Sequence, residues 1–567
     1  MSHKFSAAVA IFIGLLVFAP LVTIGWMSFA PDVPTLTGPY TLANFGVLFE
    51  PSTYELLANS ITFSSLTLLF GLLFGFPIAW LVERTDIPFK MAVRSLISGT
   101  ILIPTFLQAI GWVLLLSPTI GVFNQLLKAV NIPITVNIYT MYGMAFVQGL
   151  SFTPIAFFML SAVFAKMDPA LEEAAYANRI GWIRTLRRVT IPLSWPGLLA
   201  AIIYMFMLGI SVLEVPLIIG LPGKLYLFSS RVFVLTRGAS SLPQYGIVGA
   251  TSIIFLGISL AAAYYYSKVI RKSYRYAVVS GKGYRPRLTE LGGWRFAGLA
   301  FVSLYFGLSV IFPFASLIWV SLVPFVQPPS WEALSTVSLS AYRYIFSPTV
   351  SESFINTILL ILIAPTAVIL LSLMSSWIVT RSQMRARLLL DRIAMIPLAL
   401  PNIIIAVALM YISLLGGSFF PVYGTVWILI IAFTISHITF GTRTLNAAMI
   451  QIHKDLEDAA AVSGARPSRI MRRIMLPLIW APIVDGWIWL FLLSFREVTM
   501  AATLYINDNA VLSTVVWILW SDGQFSGAAA MSVVLGLAMG VLAVLVLVIA
   551  MRVTAQPVQE IQPVVHS

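Results

Sequence analysis

"LEEAAYANRIGWIRTLRRVTIPLSWPG", Leu171 to Gly197, places Glu172, Glu173, Arg179, Arg184, Arg187 and Arg188 within one short stretch of a chain that is only 10% charged. What surrounds it limits what it can be. The chain has 567 residues, is 59% hydrophobic and has a mean hydropathy of +0.95. Apolar runs longer than the ~18 residues that mark a membrane span recur along its length. The charged stretch is therefore a loop between spans of a polytopic membrane protein.

Working outward, apolar segments fall at 7–29, 56–82, 95–116, 138–165, 194–221 and 245–267. A second set falls at 296–322, 354–380, 393–415, 423–447, 478–505 and 526–550. Each is long enough to cross a hydrocarbon core of about 30 Å at 1.5 Å per residue. The expected fold is an all-α integral membrane protein of twelve transmembrane helices. The first segment follows Lys4 and resembles a signal peptide, but its apolar run is too long for one. Short cytoplasmic loops retain Lys and Arg. With both termini inside, the inside loops collect 28 of the 34 basic residues, so the net charge of +13 is topogenic. No soluble basic face remains to bind nucleic acid.

Several chemistries are excluded. There is no cysteine, hence no disulfide and no thiolate metal site. His3, His437, His453 and His566 never stand at the i, i+4 spacing of a helical metal pair. "PGKL" and "SGKGY" lack the glycine spacing and the Ser/Thr of a phosphate-binding loop, so the chain is not expected to hydrolyse nucleotide or to hold a cofactor of its own. No cluster of nucleophile and base supports a membrane-embedded enzyme.

The chain is internally duplicated. Asn59, Trp80 and Arg84 recur 297 residues later as Asn356, Trp377 and Arg381; Pro20 and Trp26 recur as Pro313 and Trp319; Ile103–Pro104 is matched to Ile396–Pro397. This divides the chain into a first domain, 1–270, a polar cytoplasmic linker, 271–295, and a second domain, 296–567. Six helices per half make the repeat parallel, with a pathway between the halves. The opening stretch belongs to the repeat. "LSAVFAKMDPALEEAAYANRIGWIRTLRRVTIPL" aligns without a gap to "LNAAMIQIHKDLEDAAAVSGARPSRIMRRIMLPL", 285 residues on, in the equivalent cytoplasmic loop. Glu172, Glu173, Ala174 and Ala175 meet Glu457, Asp458, Ala459 and Ala460. Early acids and late cations suit a helix dipole, and alanines admit a close partner surface.

The second copy, with Asp458, Ala459, Ala460, Gly464, Ile474, Leu476 and Pro477, resembles the EAA loop of bacterial binding-protein-dependent ABC importer permeases. The first departs from that pattern. Arg179 stands where the glycine belongs, Gly181 follows two residues late, and Ile191 precedes Pro192. The six-plus-six plan and the "SGKGYRPR" linker resemble the fused permeases of the ferric iron, thiamine and polyamine branch, closest to the ferric iron type. The resemblance implies a type I importer permease of the bacterial inner membrane. It implies coupling loops docked on two copies of an ATPase subunit that uses ATP and Mg, and a periplasmic binding protein that delivers substrate. The alternative substrates are thiamine, a polyamine or a small organic anion. The alternative class is a twelve-helix secondary transporter, for which "VERTDIPFKMAVR" is a poor signature loop.

Glu214, Glu497, Arg496 and Asp485 lie inside apolar spans, where a charge costs about 2.5–3.5 kcal/mol on insertion scales and points to a partner or an aqueous path. Glu214 and Glu497 occupy the fifth helices, at equivalent places if a gap of two residues is allowed; Arg496 and Asp485 occur only in the second half. Two readings stay open. Glu214 and Glu497 face the pathway and favour a cation or tune a gate; or Arg496 pairs with an acid and Glu214 caps a stretch broken by Pro216.

Overall fold

The computed structural model describes residues 3–554 apart from 33, 35–37, 169, 239–241, 274–287 and 383–385. Most of the expected linker, 274–287, thus lies outside the described residues. Those described form helices and no β-strand, with one isolated bridge between Thr85 and Thr289. Among them, nine helices are long and apolar enough to cross a membrane, and up to twelve if each bent pair counts as one span.

The duplication holds element by element. Pro51–Arg84 is matched by Pro348–Arg381, Met141–Lys166 by Val426–Gln451, Ala170–Ala177 by Asp455–Val462, and Phe228–Arg237 by Leu512–Ser521. The flanking long helices are His3–Met27 and Tyr245–Ser273 in the first half, and Trp294–Leu322 and Phe525–Thr554 in the second.

The third and fifth spans differ from expectation. In place of a helix over 95–116 there is Lys90–Thr100 followed by Thr105–Leu116, bent by 89°; in place of 393–415, Arg387–Ala399 and Asn402–Gly416 meet at 103°. The cause is Pro104 in one half and Pro401 in the other, both extended (ψ 127° and 134°). A proline offers no N–H, and it disfavours helical geometry in the residue before it. The structural partner of Pro104 is therefore Pro401, at the common offset of 297, and not Pro397, which lies in the short 3-10 turn Ile396–Ala399. The fifth helices stop short. Trp182–Ser211 ends well before residue 221, and Trp480–Phe495 ends before 505, bent by 70° from Ser468–Leu478.

Small residues bring the second and fourth spans together, the usual way to close a helix pair where lipid supplies no hydrophobic drive. A Cβ on Gly75 would lie 2.5 Å from the Ala156 Cβ, and one on Gly149 would overlap Phe70. In the second half the roles exchange. Ser372 stands at the Gly75 register, Gly441 stands at the Ala156 register, and a Cβ on Gly441 would overlap the Ser372 hydroxyl. Ser372 and Ser376 also donate to the Ile438 and Thr442 carbonyls, at 3.4 and 3.2 Å.

The first helix of each half packs across onto the other half. His3–Met27 lies against Asn402–Gly416, with Val9, Ile13 and Val17 buried beside Ile378 and Ile438. Trp294–Leu322 lies against Thr105–Leu116: the Gln108 amide donates to the Ser309 carbonyl (3.0 Å) and the Ser316 hydroxyl to the Gly111 carbonyl (2.7 Å). At this crossing a Cβ on Gly111 would stand 2.6 Å from the Pro313 carbonyl oxygen. Gly111→Val should therefore overpack backbone against backbone and lower the thermal midpoint of the detergent-solubilised chain by the equivalent of about 1–3 kcal/mol. Gly257→Val, where nothing lies within 4 Å, is the control expected to melt like the parent. Equal melting of the two variants would refute the crossed packing.

Candidate functional site

The loop between the fourth and fifth spans is built the same way in both halves. Ala170–Ala177 and Asp455–Val462 are short helices with acids in the first turn, Glu172 and Glu173 in one, Asp455, Glu457 and Asp458 in the other. Each is closed by a left-handed residue 285 positions apart, Arg179 (φ 56°) and Gly464 (φ 78°). The backbone N–H of Ile180 donates to the Ala175 carbonyl, and that of Ala465 to the Ala460 carbonyl, both at 3.0 Å. This is the six-to-one bond of a Schellman ending. Gly181, two residues past the pattern position, does not carry the turn. Gly181 is extended (φ −63°, ψ 154°) and caps the next helix, while Arg179 takes the left-handed conformation despite its side chain.

The two leading glutamates turn inward. The Arg84 guanidinium pairs with Glu172, its Nε 3.0 Å from Oε2, and also donates to the Met167 carbonyl; the Thr190 hydroxyl donates to the other carboxylate oxygen. Both residues are at most 5% exposed. In the second half Arg381 pairs with Glu457 and donates to the Met449 and Ile452 carbonyls, both at 2.9 Å. Glu172 and Glu457 are therefore anchors of the loop and not part of its outer face. The outward surface consists of Ala174, Asp458 and Ala459, which are exposed, and Glu173 and Ala460, which are half-buried; Ala175 is buried. Arg184, Arg187 and Arg188, with Arg469, Arg472 and Arg473 opposite, are exposed as well. Sequence reasoning noted Arg84 and Arg381 as repeat marks but missed that they are the partners of the loop acids. Their place at the end of a span, beside a loop acid at a fixed offset, was the available signal.

Among the described residues, only the first loop shows a further brace. Thr289 exchanges backbone hydrogen bonds with Arg84 and Asp86 (2.9 and 3.1 Å), and the Asp86 carboxylate accepts from the Leu291 N–H (2.8 Å). Trp182 stacks on Trp80, with ring centroids 5.5 Å apart, and meets Trp294 edge-on. The position of Trp182 is taken in the second loop by Pro467.

A second polar site lies where the halves meet. Both fifth helices break, and matching hydrogen bonds align the two breaks without the two-residue gap. Ser513 donates to the Glu497 carbonyl as Ser229 does to that of Val212, so Glu497 corresponds to Val212 and not to Glu214. The Glu497 carboxylate accepts from the Met500 N–H (2.9 Å), capping the helix Thr499–Leu504, and the Asn402 amide nitrogen stands 3.5 Å from it. Asn402 in turn accepts from Ser436 (2.7 Å), as Thr105 shares a hydrogen with Ser151 (2.6 Å) in the first half. The Thr105 hydroxyl and the Phe106 backbone face the Glu214 carboxyl, and the two glutamates lie within each other's field and that of Arg496. Arg496 donates to the Ile101 carbonyl and to the Thr105 hydroxyl, both in the other half. No ion pair among the described residues includes it within salt-bridge distance. Glu214, Arg496 and Glu497 are half-buried, whereas Asp485 is exposed on its helix and is not placed with them. No group of three or more acidic or histidine side chains able to hold a metal occurs among the described residues.

Residues 369–556 match the family described as the binding-protein-dependent transport system inner membrane component. The chain is 24% identical over 399 residues to the ferric transport system permease protein FbpB of Actinobacillus pleuropneumoniae, covering 69% of this chain and 56% of that protein. It thus spans just over half the length of that relative. It is 22% identical over 499 residues to the Fe(3+)-transport system permease protein FbpB 2 of Haemophilus influenzae, covering 87% of this chain and 90% of that protein. With the spermidine/putrescine transport system permease protein PotB of Escherichia coli it shares 25% identity over 266 residues, 46% of this chain and 94% of that protein.

Removing one partner of a buried ion pair strands the other at a cost of about 3–5 kcal/mol, while replacing both with apolar groups is often nearly neutral. Arg84→Met and Glu172→Leu should each sharply lower the melting temperature in detergent, and the double variant should recover most of the loss. Additive losses would refute the anchor. Arg179→Gly relieves a left-handed backbone and should raise stability by about 1 kcal/mol, whereas Gly464→Arg should lower it by a similar amount. The same sign for both would contradict the shared turn.

Proposed function

We propose that this chain, which has the binding-protein-dependent permease domain in its second half and repeats its plan in the first, is the fused permease of an ABC importer of the ferric iron and polyamine branch. Two permease halves enclose one pathway, and two loops of one construction receive two ATPase subunits. The observation that carries the reading is the repeated loop. In each half an Arg–Glu pair, buried in the first and largely so in the second, and a left-handed turn hold a short helix that exposes Ala174 in one half and Asp458 and Ala459 in the other. A loop of that kind is rigid against its own permease and offers a small, close-fitting face to a partner. The chain acts without a phosphate-binding loop of its own, so ATP and Mg belong to the partner subunits. A periplasmic binding protein supplies the substrate, and the protein sits in the bacterial inner membrane with both termini cytoplasmic.

The substrate we assign is ferric iron, from the names of the relatives that cover most of the chain. A polyamine is the second reading, favoured by the match to a spermidine/putrescine permease. Both are cations, and Glu214 and Glu497 at the junction of the halves are groups suited to admit one.

The purified chain is expected to show no ATPase activity alone and to gain it with an added ATPase subunit at one permease to two subunits. Turnover by the chain alone, or an active complex of one to one, would overturn the proposal. Ala460→Trp should abolish co-purification of the subunit while leaving membrane insertion intact. For the substrate, Glu214→Gln with Glu497→Gln keeps an acceptor for the Met500 N–H but removes the charge. Radiolabelled iron uptake per folded transporter should fall several-fold with the ATPase subunit still bound. Unchanged uptake per folded molecule would withdraw the two glutamates from the pathway.

A further inference from the structure

The fifth helix of the second half ends at a charge that reaches into the first half. Arg496 follows Phe495, the last residue of its helix, and its guanidinium lands on the Ile101 carbonyl and the Thr105 hydroxyl, more than 390 residues away in sequence. That carbonyl is in need of a donor. The residue three positions on, which would close a turn onto it, is Pro104 and has no N–H. In a bilayer such a group is satisfied from within the protein or at a cost of several kcal/mol. The equivalent of Arg496 in the first half is Ser211, whose hydroxyl donates locally to the Met207 carbonyl, 3.0 Å away. At the span break the contact is one-sided: Arg496 of the second half seals the break after Thr100, while the cation that crosses the other way, Arg237, donates to the Ala502 carbonyl in the helix after Glu497. Glu214 and Glu497, one from each half, lie within its field.

We infer that Arg496 is the latch of the pathway, a positioning residue that holds the halves closed by its bonds to Ile101 and Thr105 and must release them for substrate to pass. The inference rests on the reading that the pathway runs between the halves, and adds to it the residue that closes it. Charge-assisted hydrogen bonds are strong enough for this task and break without a covalent step. Half-burial leaves the guanidinium a route to water or to the two carboxylates once the bonds break.

The absence of cysteine permits a clean test. Ser151, half-buried, whose hydroxyl shares a hydrogen with the Thr105 hydroxyl that accepts from Arg496, is replaced by cysteine, and its modification by a membrane-impermeant charged thiol reagent is timed in proteoliposomes. With Arg496 present the thiol should react slowly. With Arg496→Gln the rate should rise about tenfold, equivalent to about 1.4 kcal/mol of lost closing energy. In the complex with the ATPase subunits, the same variant should hydrolyse ATP without waiting for the binding protein. Arg496→Lys keeps the charge but cannot span both acceptors, and should show a smaller rise of the same sign; it serves if the glutamine variant fails to accumulate. Unchanged labelling in a variant that melts like the parent would overturn the latch. Faster labelling in a chain that couples to no ATPase subunit would leave the latch standing and remove the importer reading instead.

Discussion

The ion pair between the end of the second span and the loop after the fourth is what the architecture at this end of the bundle depends on. A guanidinium and a carboxylate removed from water are a poor source of net stability unless their remaining hydrogen-bonding groups are met. Here they are: Arg84 also reaches the Met167 carbonyl, and Glu172 receives Thr190. What such a pair provides is register. The loop helix cannot slide or rotate against the span without stranding a buried charge, so a push on its outer face moves the span as well. That both halves keep this pair, while the loop sequences around it diverge, shows which part of the loop the fold requires.

The two loops share a backbone but differ in how they are held. Gly464 adopts its left-handed turn without steric penalty, and Arg179 adopts the same turn against its Cβ. The first loop is compensated by contacts that the second does not show among the described residues: the Thr190 bond, the Trp80–Trp182 stack and the short pairing of Thr289 with Arg84 and Asp86. Local strain is tolerated where the surroundings over-determine the conformation. A single pattern glycine is therefore a weak guide to where a turn lies, because tertiary contacts impose the same φ on arginine.

Much of this architecture was legible in the sequence. Hydropathy located every long span, and the fixed offsets between Trp80 and Trp377, or Glu172 and Glu457, revealed the duplication. What escaped was the behaviour of segments whose composition is apolar but whose backbone is interrupted. Pro104 and Pro401 lie in runs greasy enough to be read as continuous helices, yet each bends its span by about a right angle. Likewise Glu214 and Glu497 looked equivalent by residue type, whereas the hydrogen bonds of Ser229 and Ser513 place Glu497 opposite Val212. Periodicity reports which residues avoid water; it says little of where a chain must leave a helix to meet the other half. Arg496 is the clearest case, since its acceptor is a backbone carbonyl orphaned by a proline, and no pairing of side-chain types foretells it.

The crossed packing of the first helices has a consequence for how the protein is made. His3–Met27 finds one of its faces only when Asn402–Gly416 exists, about 375 residues further along the chain. At about 5–20 residues per second of synthesis, that is a wait of roughly 20–75 s in the membrane. For that interval the first half is an incomplete body, with the buried side of its leading helix turned to lipid or to whatever insertase shelters it. Thr105–Leu116 is in the same position until Trp294–Leu322 arrives. Joining the halves in one chain makes the missing partner arrive on the same ribosome and at the same spot in the membrane. Two separate half-chains would have to find each other by diffusion, each carrying an unsatisfied helix exposed to the proteases that patrol the bilayer.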